Sequence, residues 1–248
     1  MEWRDEGVIL SVRAHGESAA ILDVFTEAHG RHAGVVRGGT SRRMKPILQP
    51  GSQVAVEWSA RLEAHLGSYR VEPIRSRAAA VMADRLALEG LNAVCAMVAA
   101  AFPERAPETG FYYLTCELLD AVGDPAWARD YAMWEREMLT VLGFGLDLSQ
   151  CAATGVDTDL IYVSPKSGRA VSRDGGRDWA HRLLPLPAFF LNEDMSTPGP
   201  EDIAAALRLT GHFLLQQALP ALGRDHLPDA RERLIRVVER RIQDNAKV

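Results

Sequence analysis

The sequence has few of the features that mark a secreted, membrane-spanning or disulfide-bonded protein. Its 248 residues contain only three cysteines, Cys95, Cys116 and Cys151, and none is in a CxxC pair. An odd, scattered set of cysteines does not suit a disulfide framework, and a reducing cytoplasm is the expected compartment. The longest apolar run, residues 93–102, is shorter than the ~20 residues that a membrane span needs. The N-terminus is acidic and polar, unlike a secretory signal.

Motifs for catalysis and nucleotide binding are also absent. The chain has no Walker GxxxxGK(S/T) loop and no GxSxG nucleophile elbow. Gly143-Phe144-Gly145 lacks the third glycine of a dinucleotide-binding fingerprint and follows a predicted helix rather than a strand. We therefore expect no catalytic residues and no cofactor. An enzyme whose site is assembled from residues far apart in the sequence stays an open alternative.

No group of residues has the spacing of a metal site. His29 and His32 flank a Gly-Arg turn and are better explained as surface residues, because structural zinc usually has four nitrogen or sulfur ligands. Cys151 has no cysteine partner near residue 154 or in residues 170–173, and one thiolate cannot hold structural zinc. We expect no bound metal, and we expect Cys151 to be a buried thiol.

The charge of the chain is distributed unevenly. Hydrophobic residues make up 47% and charged residues 25%, as in an ordinary folded globular protein. Residues 1–77 carry 11 basic and 9 acidic side chains (+2), and the remainder carries 17 and 24 (−7), which together give the net charge of −5. A mildly basic N-terminal part is thus joined to an acidic body, and a polyanionic partner would depend on local clusters of charge.

The hydrophobic pattern changes its period after Pro73. Before that point, β-branched and aromatic residues predict five strands, at residues 8–12, 20–25, 34–36, 53–58 and 66–71. So many short strands favour a small barrel, which leaves no edges exposed. After it, helical periodicity predicts helices at residues 78–102, 111–122, 125–142, 200–219 and from 229 onwards. Between the third and fourth helices, residues 161–164 and 168–172 predict a hairpin.

One cluster of positive charge stands out, in residues 31–45. It has five basic side chains and no acidic one: Arg31, Arg37, Arg42, Arg43 and Lys45. Gly38 and Gly39 are expected to make its backbone mobile. A basic loop beside a small barrel can contact nucleic-acid phosphates, while aromatic residues such as Trp58 or Tyr69 stack on bases. The alternative is an ordinary solvated loop.

Several segments, in order along nearly the whole chain, resemble the RecO family of bacterial recombination mediators. The N-terminal resemblance is carried by Val35-Val36-Arg37-Gly38-Gly39-Thr40-Ser41-Arg42-Arg43 and by Leu48-Gln49-Pro50-Gly51. Further on it is carried by Trp134-Glu135, residues 142–151, residues 162–168 and Leu183-Leu184-Pro185-Leu186-Pro187. The family resemblance implies an N-terminal oligonucleotide-binding (OB) barrel, a helical body and an inserted finger that holds zinc through four cysteines in some members.

The resemblance also implies a function and a set of partners. Members bind single- and double-stranded DNA and anneal complementary strands. With RecR they help RecA to displace single-stranded-DNA-binding protein during recombinational repair, and no catalytic residues are implied. The expected location is the cytoplasm, in association with the nucleoid. The alternative is an adaptor that does not bind DNA and uses the barrel to dock another protein.

The combined prediction is an α+β fold with two domains. Residues 1–77 form a five-stranded OB-like β-barrel that binds DNA, and residues 78–248 form a mainly helical domain. The helical domain contains a finger-like segment with a β-hairpin at about residues 147–195. The sequence departs from the zinc-binding members in this finger, since only Cys151 remains where a first ligand would lie.

The helix that ends at Leu142 is a candidate docking site for the acidic tail of single-stranded-DNA-binding protein. Such a tail needs an apolar groove with cations at its rim. The candidate residues are Trp127, Arg129, Trp134 and Arg136. The alternative is that this aromatic stripe is simply core. In that case the basic face of the last helix, Arg233, Arg236 and Arg240, is the next place to look.

Overall fold

In the computed structural model, which describes residues 1–82, 84–192 and 198–245, the N-terminal part is a closed barrel of five strands. The strands are β1 (Glu2–His15), β2 (Ala19–Thr26), β3 (Gly30–Val36), β4 (Gln53–Ser59) and β5 (Ser68–Arg75). Their order around the barrel is β1-β2-β3-β5-β4, and β1 closes it by pairing with both β2 and β4. The predicted OB-like barrel is confirmed.

The barrel interior explains why these segments form strands. Alternate residues such as Leu22, Val24, Val54 and Val56 are buried in one apolar cluster, as expected for strands with one face inside. β1 begins at Glu2, earlier than the prediction at residue 8. Residues 2–7 are mostly charged and show no apolar run. They are strand because they pair with β4, from Glu2 opposite Ser59 onwards.

Three helices follow the barrel: α1 (Ala78–Val81), α2 (Arg85–Ala101) and α3 (Thr109–Asp120). The single helix predicted over residues 78–102 is wrong, because Asp84 interrupts it. The Asp84 carboxylate accepts hydrogen bonds from the amides of Leu86 (2.8 Å) and Ala87 (3.3 Å), which makes it the N-cap of α2. These helices and the barrel form one compact unit, Met1–Gly123 with Pro228–Leu234.

Arg77 helps to join the barrel to α3 within this unit. Its side chain is only 5% exposed and donates hydrogen bonds to the Gly51 carbonyl (3.0 Å), to Gln53 (3.1 Å) and to the Asp120 carboxylate (2.7 Å). A buried guanidinium needs such partners, because an unpaired buried charge is strongly destabilising. The first compact unit therefore extends beyond residue 77.

The second compact unit comprises Asp124–Leu227 and Ile235–Val248. Its main helices are α4 (Trp127–Val141), α5 (Pro200–Phe213), α6 (Leu219–Ala221) and the larger part of α7 (Asp229–Asn245). The helix predicted over residues 200–219 is interrupted by a π-helical turn, Leu214–Ala218. The predicted helix start at Pro125 is also wrong. The Asp124 carbonyl, rather than its side chain, accepts the amide hydrogen bond of Trp127 (3.0 Å), and α4 begins at Trp127.

The finger-like segment is a small three-stranded sheet in the second unit. It consists of β6 (Leu160–Val163), β7 (Ala170–Ser172) and β8 (Leu184–Pro185), in the order β7-β6-β8. β6 and β7 are antiparallel, so the predicted hairpin is confirmed. Together with the barrel and the helices, this sheet gives the predicted α+β class. Within the parts of the chain described, no helix is both long and apolar enough to cross a membrane.

Candidate nucleic-acid interface

The basic loop, residues 37–45, follows β3 and carries four of the five cations of the sequence cluster. The side chains of Arg37, Arg42, Arg43 and Lys45 are all exposed. Among the described residues, no carboxylate lies within ion-pair distance of any of them. Their charges are therefore not neutralised by these carboxylates. A surface that contacts phosphates requires such cations.

The basic loop is held against the end of the barrel by its apolar residues. Met44 and Ile47 pack against the barrel core, and Leu48 is buried in it. The Thr40 amide also donates a hydrogen bond to the Ser18 carbonyl (3.1 Å) in the β1–β2 turn. Because these apolar side chains anchor the loop to the barrel, its exposed basic side chains are attached to a backbone that is held in place.

The two glycines of the basic loop occupy positions where a side chain would not fit the backbone geometry or the available space. Gly38 has a φ of 68°, in the left-handed region that side chains with a Cβ rarely adopt. A Cβ atom on Gly39 would lie 2.7 Å from the Cβ of Ala20. The sequence interpretation attributed both glycines to backbone mobility. In the structure they allow a tight turn and a close approach to β2.

Arg31 does not belong with the exposed cations, which corrects the sequence prediction. Its side chain is 13% exposed, and its guanidinium donates to the carbonyls of Ala99 and Phe102 at the C-terminal end of α2. It also pairs with Glu104 (3.2 Å) and contacts Asp23 (3.4 Å). A cation at this position stabilises the helix C-terminus. Arg31 is a brace between β3 and α2 rather than a phosphate contact.

The aromatic residues proposed to stack on bases are also corrected. Trp58 is 1% exposed and donates its indole hydrogen bond to the Leu66 carbonyl (3.0 Å). Tyr69 is 4% exposed and donates to the His32 carbonyl (3.2 Å). Both belong to the barrel core. Neither ring face is available to a base, so the basic loop offers charge without a stacking platform from these two residues.

Arg13 is a candidate that sequence reasoning missed. It is exposed on β1, opposite Ile21 of β2, which in turn lies opposite Val35 of β3. These side chains share the outer face of the barrel, and Val35 lies two residues before Arg37. The available signal was the alternation of β1, since an outward position follows the partly buried Val12.

Asp23 lies two residues after Ile21 on β2, beside Arg31, in an unusual electrostatic setting. Burial raises the pKa of Asp23 to about 6, although the positive charges of Arg31 and Arg13 oppose the shift. The negative charge of Glu104 adds to it. Within the described part of the chain, the Asp23 Oδ1 atom is buried without a hydrogen-bond partner. The ionised carboxylate is therefore poorly compensated at neutral pH.

This setting predicts a pH dependence of stability. The pKa of Asp23 is higher in the folded state than the ~3.9 of an unfolded chain, so its contribution is largest below pH ~4 and is lost as pH rises through about 6. Relative to Asp23→Asn, the native protein should lose about 2–3 kcal/mol of unfolding free energy over this interval. Urea denaturation at several pH values measures it. The exposed Asp174→Asn is the control, and a pH-independent difference for Asp23→Asn would contradict the prediction.

The α4 residues proposed to bind a partner's tail are largely internal, which is a further correction of the sequence prediction. Trp127 is 1% and Trp134 4% exposed. The Arg136 guanidinium donates to the Phe190 carbonyl (2.6 Å) and lies 5.5 Å from the centre of the Phe190 ring. Arg129 lies 3.5 Å from Asp130. The stripe is core, as the alternative interpretation held, and it does not form an open apolar groove.

The residues of the finger do not fit zinc. In the described ranges, no three His, Cys, Asp or Glu side chains are grouped so that they could hold a metal ion. Cys151 is buried, and the sulfur has hydroxyl and amide neighbours in place of further thiolates. His29 is also not paired with His32, because its ring stacks on Trp3 and its Nδ1 atom lies 2.8 Å from the Asp5 carboxylate.

Comparison with known proteins identifies the family. The model "Recombination protein O N terminal" matches residues 1–77, and "Recombination protein O C terminal" matches residues 82–226. A protein named DNA repair protein RecO from Ruegeria sp. is 53% identical over 98% of this chain and 100% of its own length. Proteins of the same name from Roseobacter denitrificans (54%; 98% and 100%) and Cereibacter sphaeroides (52%; 97% and 99%) are similar.

The fold and the matches agree on the class of protein. A five-stranded OB-like barrel followed by helices and a finger-like hairpin defines an α+β protein of the DNA repair and recombination machinery. The chain belongs to the RecO family.

Proposed function

We propose that this chain is a non-enzymatic recombination mediator that binds single- and double-stranded DNA through the basic loop. The observation that carries the proposal is the set of four exposed cations without carboxylate partners among the described residues, fixed to the end of an OB-like barrel. Family membership provides the biological setting, which is DNA repair and recombination.

The loop suits contacts with the phosphate backbone. Arginine and lysine bind phosphates through charge, and this contact carries no sequence information. Phosphates occur in both single strands and duplexes, so one surface can hold either form. Since Trp58 and Tyr69 are buried, stacking by these rings contributes nothing, and binding should depend strongly on salt.

Contacts with the DNA phosphate backbone would also explain how the chain could promote annealing. Two complementary single strands repel each other through their phosphates, and cations that neutralise part of this charge lower the barrier to their encounter. The bases stay free to pair, because the basic loop does not sequester them. The chain would thus promote pairing without consuming a nucleotide.

The proposed partners are RecR and the acidic tail of single-stranded-DNA-binding protein, and the proposed outcome is the loading of RecA. Because the α4 stripe is core, the tail is expected to dock elsewhere. Arg236 and Arg240 are exposed on α7 and offer cations for its carboxylates. The proposed site of action is the cytoplasm, at the nucleoid.

Two assays on the purified chain test the proposal. Electrophoretic mobility shifts with single- and double-stranded oligonucleotides at two salt concentrations should show binding that weakens steeply with salt. Annealing of complementary strands should accelerate in the absence of ATP. An adaptor that docks only proteins would show neither effect at either salt concentration. Annealing that requires nucleotide hydrolysis would contradict the non-enzymatic assignment.

A further inference from the structure

Two short turns in the finger have the spacing of a four-ligand metal site. The first turn carries Cys151 and Thr154, and the second carries Ser172 and Gly175. The full pattern is C-x2-T-x17-S-x2-G. Two pairs of positions, each separated by two residues, are characteristic of structural zinc sites with four cysteines. We call these four residues the finger knuckle.

The four positions of the finger knuckle converge on the Cys151 sulfur. The Ser172 amide and hydroxyl donate to Cys151 Sγ at 3.2 and 3.3 Å. Thr154 Oγ1 lies 3.5 Å from Ser172 Oγ, which also accepts a hydrogen bond from the Gly175 amide (3.2 Å). A Cβ atom on Gly175 would lie 3.0 Å from Cys151 Sγ. All four residues thus meet around one small volume.

We propose that the finger knuckle has the arrangement of a four-ligand zinc site but is held together by hydrogen bonds to a single cysteine instead of by a metal. Only Cys151 offers a thiolate, while Thr154 and Ser172 offer hydroxyls and Gly175 offers no side chain. Structural zinc takes thiolate, imidazole or carboxylate ligands, so this set does not hold it.

The hydrogen bonds around Cys151 can do the structural work of the metal. Burial opposes ionisation, but hydrogen bonds from Ser172 and Thr154 lower the pKa of the Cys151 thiol to about 6. The Ser172 amide and hydroxyl join the second turn to the Cys151 sulfur of the first, and this link does not require the thiol to be ionised.

The main chain of the two turns is also held without any ligand. The Cys151 amide donates to the Val156 carbonyl (2.7 Å), and the Ala152 amide donates to the Ala170 carbonyl (2.8 Å). In the second turn, the Gly176 amide donates to the Ser172 carbonyl (2.9 Å). The finger should therefore stay folded when zinc is withdrawn, unlike a metal-dependent finger, which unfolds.

Introducing cysteines at the other three positions of the finger knuckle tests directly whether the four positions form a metal-ligand set. The variant Thr154→Cys/Ser172→Cys/Gly175→Cys, kept reduced, should bind one zinc ion per chain and give the visible spectrum of a tetrahedral four-thiolate site with Co²⁺. Its thermal midpoint should fall on addition of a chelator. The native chain should contain no stoichiometric zinc, and its midpoint should not respond to the chelator. A matched control adds three thiols elsewhere in the segment without any pair separated by two residues, as Thr158→Cys/Ser167→Cys/Ala180→Cys.

Either of two results would overturn the proposal. One is a folded triple variant that binds no more zinc than the control, which would show that the four positions do not form a ligand set. The other is stoichiometric zinc in the native chain, which would show that hydrogen bonds do not stand in for a metal in the finger knuckle.

A second measurement does not depend on the folding of the triple variant. Cys151→Ala and Ser172→Ala remove the two ends of one hydrogen-bonded pair, so each should lower the thermal midpoint. The double variant should lower it by less than the sum of the two single changes, because the bond from the Ser172 hydroxyl to the Cys151 sulfur is lost in both. Fully additive losses would contradict a cluster that acts as one unit.

Discussion

Replacing Arg37, Arg42, Arg43 and Lys45 together with alanine should weaken DNA binding regardless of sequence. Each phosphate contact contributes about 0.7 to the slope of log K against log salt on single strands, so four contacts contribute about 3. The slope should fall by that amount, and the loss of affinity should be greatest at low salt. Fluorescence anisotropy with a labelled oligonucleotide over a range of salt concentrations measures both quantities.

A matched control separates a local contact from an effect of net charge. The variant Lys166→Ala/Arg169→Ala/Arg173→Ala/Arg177→Ala removes the same number of positive charges from the finger. It should change the salt slope much less, because three of these arginines already pair with Asp147, Asp159 and Asp174. Equal losses for the two variants would assign binding to overall charge, and an unchanged slope for the loop variant would place the surface elsewhere.

The fold could be predicted from sequence because buried positions recur at regular spacings in strands and helices, and they are occupied by apolar residues. The alternation in β4, Val54 and Val56 inside with Glu57 outside, is visible in the letters alone. The errors occurred where a tertiary contact outweighs the local pattern. Residues 2–7 are strand only because β4 pairs with them, and the cap at Asp84 is hidden within a continuous helical pattern.

The candidate site was harder to predict, because the sequence does not show whether a basic side chain is exposed to solvent or bonded within the protein. Arg31 and Arg37 look alike in the sequence cluster. The difference lies in the carbonyls of Ala99 and Phe102, which are 68 and 71 residues away from Arg31. Arg13 was missed for the same reason, since strand pairing brings it to the face that precedes the basic loop.

The contacts within the finger knuckle could not be predicted from the sequence either. The sequence reveals that three thiols are missing, but it does not reveal what fills their place. Thr154, Ser172 and Gly175 become informative only when their distances to the Cys151 sulfur are known.

Trp127→Ala should lower the unfolding free energy of the second unit by about 3–5 kcal/mol, as expected for truncating a large buried aromatic side chain. Trp127 is 1% exposed, and its ring stacks on Tyr131 with centroids 5.2 Å apart. Tyr131 packs in turn against Trp134, at 5.7 Å. The substitution leaves a cavity that this row of rings cannot fill without losing its own contacts. Urea denaturation followed by circular dichroism measures the loss.

Trp179→Ala is the matched control, because the same side chain is removed from an exposed position. Trp179 is 56% exposed, and its replacement should change stability by no more than about 0.5 kcal/mol. A groove that binds a partner's tail would give the opposite result for Trp127, which is normal stability with weaker binding of an acidic tail peptide. That outcome would return the α4 stripe to the set of docking sites. A large loss of stability for Trp127→Ala, with little effect for Trp179→Ala, assigns the stripe to the core that supports the helical unit.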